Sequence, residues 1–267
     1  MLLRVAHTTT YRFETPAYYG LQQLRLTPKS RSGQNVLSWS MDVSGGTLET
    51  NFTDHHANEV SLISFAPDAV EITVQCQGEI ETEDHSGVVG KQKGFVPLWL
   101  FQRSTNLTRA TPAVRRLTKG LKDSYNDDVA MMHDLSTRIL DAVPYQIGET
   151  DTATTADAAI ERGSGVCQDH AHILIACARA LDIPARYVSG YLMMNDRELQ
   201  DATHAWAEVH LDGIGWVGFD VSNAISPDDR YVRVATGLDY GEAAPIAGVR
   251  YGAGAETLKV DVAVQQQ

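Results

Sequence analysis

The chain predicts an α+β fold, with an all-β first half followed by a half that mixes helices and strands. Two observations carry this. Up to about residue 94, apolar and polar residues alternate with period two and no convincing helix interrupts them. After the Pro97-Leu98-Trp99-Leu100 segment the apolar residues fall at helical spacing, and later they return to strand spacing. The division predicts a β-rich, sandwich-like domain over 1–94 and a second domain over 95–267. The polar, glycine-flanked stretch Gly90-Lys91-Gln92-Lys93-Gly94 is the expected link between them.

In the first half, Leu37, Trp39, Met41 and Val43 alternate with polar residues, as do Val70, Ile72, Val74 and Cys76. Further strands are expected at Leu3–Phe13, Leu21–Thr27, Leu48–Thr53 and Glu59–Phe65, with Gly45-Gly46 as a hairpin turn. In the second half, Val114, Leu117 and Leu121 have helical spacing. So do Val129, Met132, Leu135, Ile139 and Val143, a run closed by Pro144. A short helix over 155–162 stops at Gly163. After a long apolar helix come strands at 185–193, His204–Leu211 and Trp216–Phe219, then a loop-rich stretch over 237–254. A last strand over Leu258–Val264 pairs with either half.

The net charge of −12 and the pI near 5.1 argue against nucleic acid or an anionic membrane as the main partner. Three cysteines, Cys76, Cys167 and Cys177, are too few and too scattered for a disulfide scaffold. The first residues turn polar before an apolar signal core forms, and no apolar run approaches the roughly 18 residues that span a bilayer. A cytoplasmic protein with no membrane partner is the expectation, and its oligomeric state is left open.

Chemistry concentrates in Gly163-Ser164-Gly165-Val166-Cys167-Gln168-Asp169-His170-Ala171-His172. A helix starting near Gly165 places Cys167 in its first turn, where unpaired N–H groups and the macrodipole favour an anion. A thiolate nucleophile needs such a position. Cys177, mid-helix among small apolar residues, reads instead as a buried hydrophobe. His204 opens one strand and Asp220 closes the next, so a single turn sets the two side by side. Cys167, His204 and Asp220 therefore meet the requirements of nucleophile, base and orienter. His170 and His172 are nearer Cys167 in sequence, but neither has an evident orienter. A zinc site from Cys167, His170 and His204 lacks any Cys-x2-Cys or His-Glu-x-x-His spacing. His55, His56 and His85 read as surface-turn residues. No metal or cofactor is expected.

Gly165-Val166-Cys167-Gln168-Asp169, then Gly190-Tyr191, then His204-Ala205-Trp206-Ala207-Glu208-Val209, then Gly215-Trp216-Val217-Gly218-Phe219-Asp220 resemble the core of bacterial transglutaminase-like proteins. The resemblance spans about Tyr145 to Asn223. It implies a papain-like thiol core whose triad falls on Cys167, His204 and Asp220, the same three residues the spacing selects. The first half looks like the β-rich domain that precedes this core in many bacterial members. Two positions depart from the pattern. His170 stands where relatives often carry an apolar aromatic, and Asp220-Val221-Ser222-Asn223 stands where D-P-T-N is frequent. Nothing resembles the calcium-binding regions of the longer animal transglutaminases, so calcium dependence is not expected.

The resemblance implies acyl transfer from a peptide, protein or small amide. N–H groups at the start of the Cys167 helix would form part of an oxyanion hole. Tyr145 reads first as a core tyrosine, with a second oxyanion donor as its other reading, and Gln168 and Trp206 belong to the pocket. Water as acceptor gives a protease or amidase, and an amine gives a transglutaminase. Hydrolysis is favoured, since water is always present and no amine-specific site is visible. The alternative is a papain-like scaffold that binds with little turnover.

Overall fold

The computed structural model describes residues 1–267 except 93, 94, 196 and 253. The predicted boundary at Gly94 thus lies outside the described residues. The first half forms β1 (Leu2–Ala17), β2 (Tyr19–Thr27), β3 (Gln34–Ser44), β4 (Gly46–Thr53), β5 (Glu59–Phe65), β6 (Ala69–Thr82) and β7 (Val88–Gly90). A 3-10 turn at Leu98–Gln102 leads to α1 (Pro112–Leu117), α2 (Leu121–Ser124), α3 (Asp128–Ala142), α4 (Ala156–Arg162) and α5 (Cys167–Ala180). Then follow β8 (Ala185–Leu192), β9 (Leu199–Gln200), β10 (His204–Leu211), β11 (Gly215–Phe219), β12 (Tyr231–Gly237), α6 (Tyr240–Ala243), β13 (Ile246–Tyr251) and β14 (Glu256–Gln266). No helix among the described residues is long and apolar enough to cross a membrane.

Three antiparallel sheets result, with strand orders β3-β6-β1-β14-β9, β13-β2-β5-β4 and β12-β8-β10-β11-β7. The first two face each other over a core that includes Phe13, Leu24, Leu26, Ile63, Ile72 and Val74. The third carries the helices. Its inner strands β8, β10 and β11 are buried almost throughout: α5 covers one side, and on the other the first sheet packs on β8 and β12. Ala205, Ala207 and Val209 turn toward α5, while Trp206 and Glu208 turn away from it. α5 is apolar on almost every side and is buried from Asp169 to Arg179, as a central helix must be.

The structure corrects several expectations. Gly45-Gly46 is not a hairpin turn: β3 and β4 lie in different sheets, so the pair forms a corner between them. A Cβ on Gly45 would sit 2.1 Å from the Glu71 carbonyl oxygen, and one on Gly46 would sit 2.6 Å from that of Ser64. The glycines therefore serve close backbone approach rather than strand reversal. The helix through Val114 and Leu121 is broken into α1 and α2 by Gly120, whose φ is +76°. Within 237–254 lies β13, paired with β2 from Ile246↔Leu24 to Tyr251↔Tyr19. None of its residues is fully buried, so backbone pairing rather than an apolar pattern holds it. The last strand, β14, pairs along its length with β1 and so belongs with the first half, while β7 pairs with β11 in the helix-bearing half.

Candidate active site

Cys167 is the first residue of α5, behind an extended Val166 at φ −114°. Valine has no acceptor to cap a helix, and Asp169 supplies the terminal bond instead. Its Oδ2 accepts from the Val166 N–H at 2.8 Å and from the Thr150 hydroxyl at 2.7 Å. A Cβ on Gly165 would meet the Asp169 Cβ at 2.8 Å, so only glycine admits this turn. The first backbone bond of the helix runs from His170 N to Val166 O, at 3.0 Å. The preceding N–H groups, at Cys167 and Gln168, open beside the thiol.

His204 begins β10 opposite Gly190 of β8, and Asp220 follows β11, whose Phe219 pairs with Ala207. His204 Nε2 and Asp220 Oδ2 are 2.6 Å apart, and both residues are buried. Nδ1 is then the ring nitrogen left to face the thiol. Asp220 Oδ2 also accepts from Asn223 Nδ2 and from the Tyr231 hydroxyl, each at 2.7 Å. Burial alone would raise the Asp220 pKa, but His204 and these donors together hold it below the usual value. Burial would likewise lower that of His204. The Asp220 charge and hydrogen bond outweigh it, with Cys167 adding to them, and the imidazole is raised to about 10. An imidazolium at neutral pH, flanked by a thiol and a carboxylate, is the electrostatic result.

Cys167 and His204 open onto a cavity of about 250 Å³. Gln168, Tyr187 and Tyr240 line it from the second half, and its far wall comes from β1 and β14 through Tyr11, Leu258 and Val260. Among the described residues lining it there is no Asp, Glu, Lys or Arg. His7 also lines it, held between the Tyr191 hydroxyl and Thr9 Oγ1 at 2.8 Å each, and burial drops its pKa to about 4. In the sequence His7 carries no signal of a site beyond an inward place in the alternation of β1.

Other candidates take different places. Both His170 nitrogens are committed, Nε2 to the Val143 carbonyl at 2.7 Å and Nδ1 to Ser222 Oγ at 2.8 Å. His170 is one departure from the family pattern and Ser222 lies in the other, and here the two are partners. His172 accepts from the Tyr240 N–H at 3.1 Å, and burial lowers its pKa to about 3. Tyr145 is not a core tyrosine: it is 49% exposed. Burial first, and then the nearby Cys167 charge, raise its pKa. Trp206 does not line the cavity. Its ring packs on His204 and Tyr231, at 6.2 and 5.4 Å between centroids. Cys177 is fully buried in the core, its thiol pKa pushed up by burial. His85 is on the surface beside Glu83, and His55 and His56 lie in the turn between β4 and β5.

Comparison with known proteins agrees with this architecture. The model of the bacterial transglutaminase-like N-terminal region matches residues 3–81, and that of the transglutaminase-like superfamily matches residues 113–221. An uncharacterized protein of Mycobacterium leprae is 27% identical over 279 residues, an alignment that covers 98% of each chain. An uncharacterized protein of Mycobacterium tuberculosis is 38% identical over 146 residues, covering 51% of this chain and 46% of that protein. A crystal structure from Cytophaga hutchinsonii, of a protein provisionally named a cysteine protease, superposes with a TM-score of 0.79 at 22% identity. It covers 100% of this chain and 91% of that one, which establishes a shared fold. With the thiol on its helix, the β-rich first half and both family models in order along the chain, the protein belongs to the bacterial transglutaminase-like superfamily.

Proposed function

We propose that the protein is a thiol acyl-transfer enzyme acting on a peptide or carboxamide bond. One observation carries this reading: a buried His204–Asp220 pair at 2.6 Å stands beside a helix-start cysteine on the wall of a cavity. In the proposed sequence Cys167 reacts as the thiolate, its proton carried by the His204 imidazolium; the sulfur adds to the substrate carbonyl carbon, and N–H groups at the start of α5 stabilise the oxyanion. The imidazolium of His204 gives its proton to the departing amine as the C–N bond breaks, leaving a thioester on Cys167. Water then attacks the thioester carbon, His204 takes the proton, and a carboxylic acid leaves as the thiol is restored. An amine in place of that water yields a new amide. Hydrolysis is the reading we favour, since water needs no binding site of its own. Beyond the triad, the lack of Asp, Glu, Lys and Arg among the described cavity-lining residues favours an uncharged group next to the scissile bond.

The test is a screen of peptides and amides for ammonia release, amine release or amine incorporation. Cys167→Ala should lose on the order of 10⁴-fold or more in turnover while keeping its fold. Cys177→Ala should keep its activity. Wild-type turnover in Cys167→Ala, on any substrate the protein processes, would refute the assignment of Cys167, whereas no turnover of any peptide or amide by the wild type would leave the binding scaffold as the reading.

A further inference from the structure

The turn between β4 and β5 is built more firmly than a surface turn requires. Asp54 Oδ1 accepts from the N–H groups of His56 and Asn58, both at 2.9 Å, and its Oδ2 lies 3.3 Å from Arg25 Nε. Asn58 docks the turn on β12 through two 2.8 Å bonds to the Thr236 backbone. So fixed, the turn presents the His55 and His56 rings with centroids 4.1 Å apart. From the other half of the chain, α6 delivers Glu242, whose Oε2 is 2.7 Å from His56 Nε2. One ligand-capable atom from each of His55, His56 and Glu242 lies within 4.8 Å of the others.

We propose that His55, His56 and Glu242 form a binding site for a divalent transition-metal ion of the zinc type, which clamps the β4–β5 turn to α6. Two imidazoles and a carboxylate are a donor set that zinc accepts, and zinc–ligand distances near 2.0–2.2 Å need only small side-chain movements here. A cavity of about 300 Å³ reaches both histidines and leaves room for water as a fourth ligand. A further observation points the same way. The His56 side chain is 1% exposed, yet its Nδ1 has no hydrogen-bond partner, an unsatisfied state that buried polar groups rarely keep. Zinc would also steady α6, whose Tyr240 lines the catalytic cavity.

The experiment uses full-length Cys167→Ala protein, so that the active-site thiol cannot hold metal. After chelation and dialysis, zinc titration by calorimetry with elemental analysis should give one zinc per chain and a rise in the melting temperature. Adding His55→Ala, an exposed change that spares the packing, should weaken zinc binding at least about tenfold and remove the thermal shift, as should Glu242→Gln. No zinc uptake by the Cys167→Ala chain would overturn the proposal. Equal uptake in the chains carrying His55→Ala and Glu242→Gln would overturn it as well.

Discussion

Asp220 is the residue through which the site's charge is set. It receives three side-chain donors on one oxygen, and two of them, His204 and Tyr231, are buried with it. The imidazole's folded pKa of about 10 lies above its unfolded value near 6.5. The ion pair therefore stabilises the fold fully below pH 6.5, and that contribution is lost as pH rises through about 10. Asp220→Asn should drop the His204 titration by several pH units toward or below 6.5, read from the imidazole proton resonances. The constant belongs to the coupled set of Cys167, His204 and Asp220 rather than to one ring. Titration of wild-type His204 at 6.5, unchanged in Asp220→Asn, would mean that the pair carries no charge. A second prediction concerns His170. Ser222→Ala strips the partner from His170 Nδ1 inside the protein, at a cost of about 1–3 kcal/mol by denaturant unfolding. Turnover should change little, because His170 faces Val143 and Ser222 rather than Cys167. That Cys167, His204 and Asp220 come together was legible in the sequence because each sits in a local motif at the end of an element. The His170–Ser222 bond was not, since it joins positions 52 apart through folding alone.

Among the elements, α5 was the easiest to foresee and also hid the most. Its apolar run announces a buried helix, and Gly163 and the Asp182-Ile183-Pro184 segment bound it. One charge stands near its end, Arg179, at a place where a solvated cation would favour a helix C-terminus. Instead it is buried and donates to the Phe101, Ala185 and Leu238 carbonyls and to the Thr108 hydroxyl. Those acceptors come from four separate segments, so no local pattern reveals the network. Arg179→Met should keep the helix and lose the staple, leaving three buried carbonyls without a donor. The expected cost exceeds about 3 kcal/mol in urea unfolding, with the m-value unchanged. A loss under about 1 kcal/mol would show that water replaces the guanidinium there. The Gly45-Gly46 corner teaches a related point. A glycine pair marks close backbone approach, but nothing local says whether the chain folds back on its own sheet or crosses to another.

At the scale of the whole molecule, the change of period near residue 94 marks a boundary along the chain, whereas the strands cross it in both directions. β1 lies between β6 and β14, so the first sheet is incomplete until the last residues arrive. β13 extends the second sheet, and β7 goes the other way to edge the third. One apolar cluster draws Leu3 and Val5 from β1, Ile80 from β6, Tyr191 from β8, Val232 and Val234 from β12, and Val262 and Val264 from β14. The cavity repeats this pattern, with Cys167 and His204 on one wall and Tyr11, Leu258 and Val260 on the other. Neither half can expose its share of that cluster to water without losing a large apolar contact. The protein should therefore unfold in one cooperative step, although its length would allow two domains. Trp39 reports on the first half and Trp206 and Trp216 on the second, while far-UV circular dichroism reports on both. In a urea titration the fluorescence and dichroism curves should overlay, and catalytic activity should vanish on the same curve. Two separated transitions would show that the halves are held by their own cores, with the shared cluster adding too little to couple them.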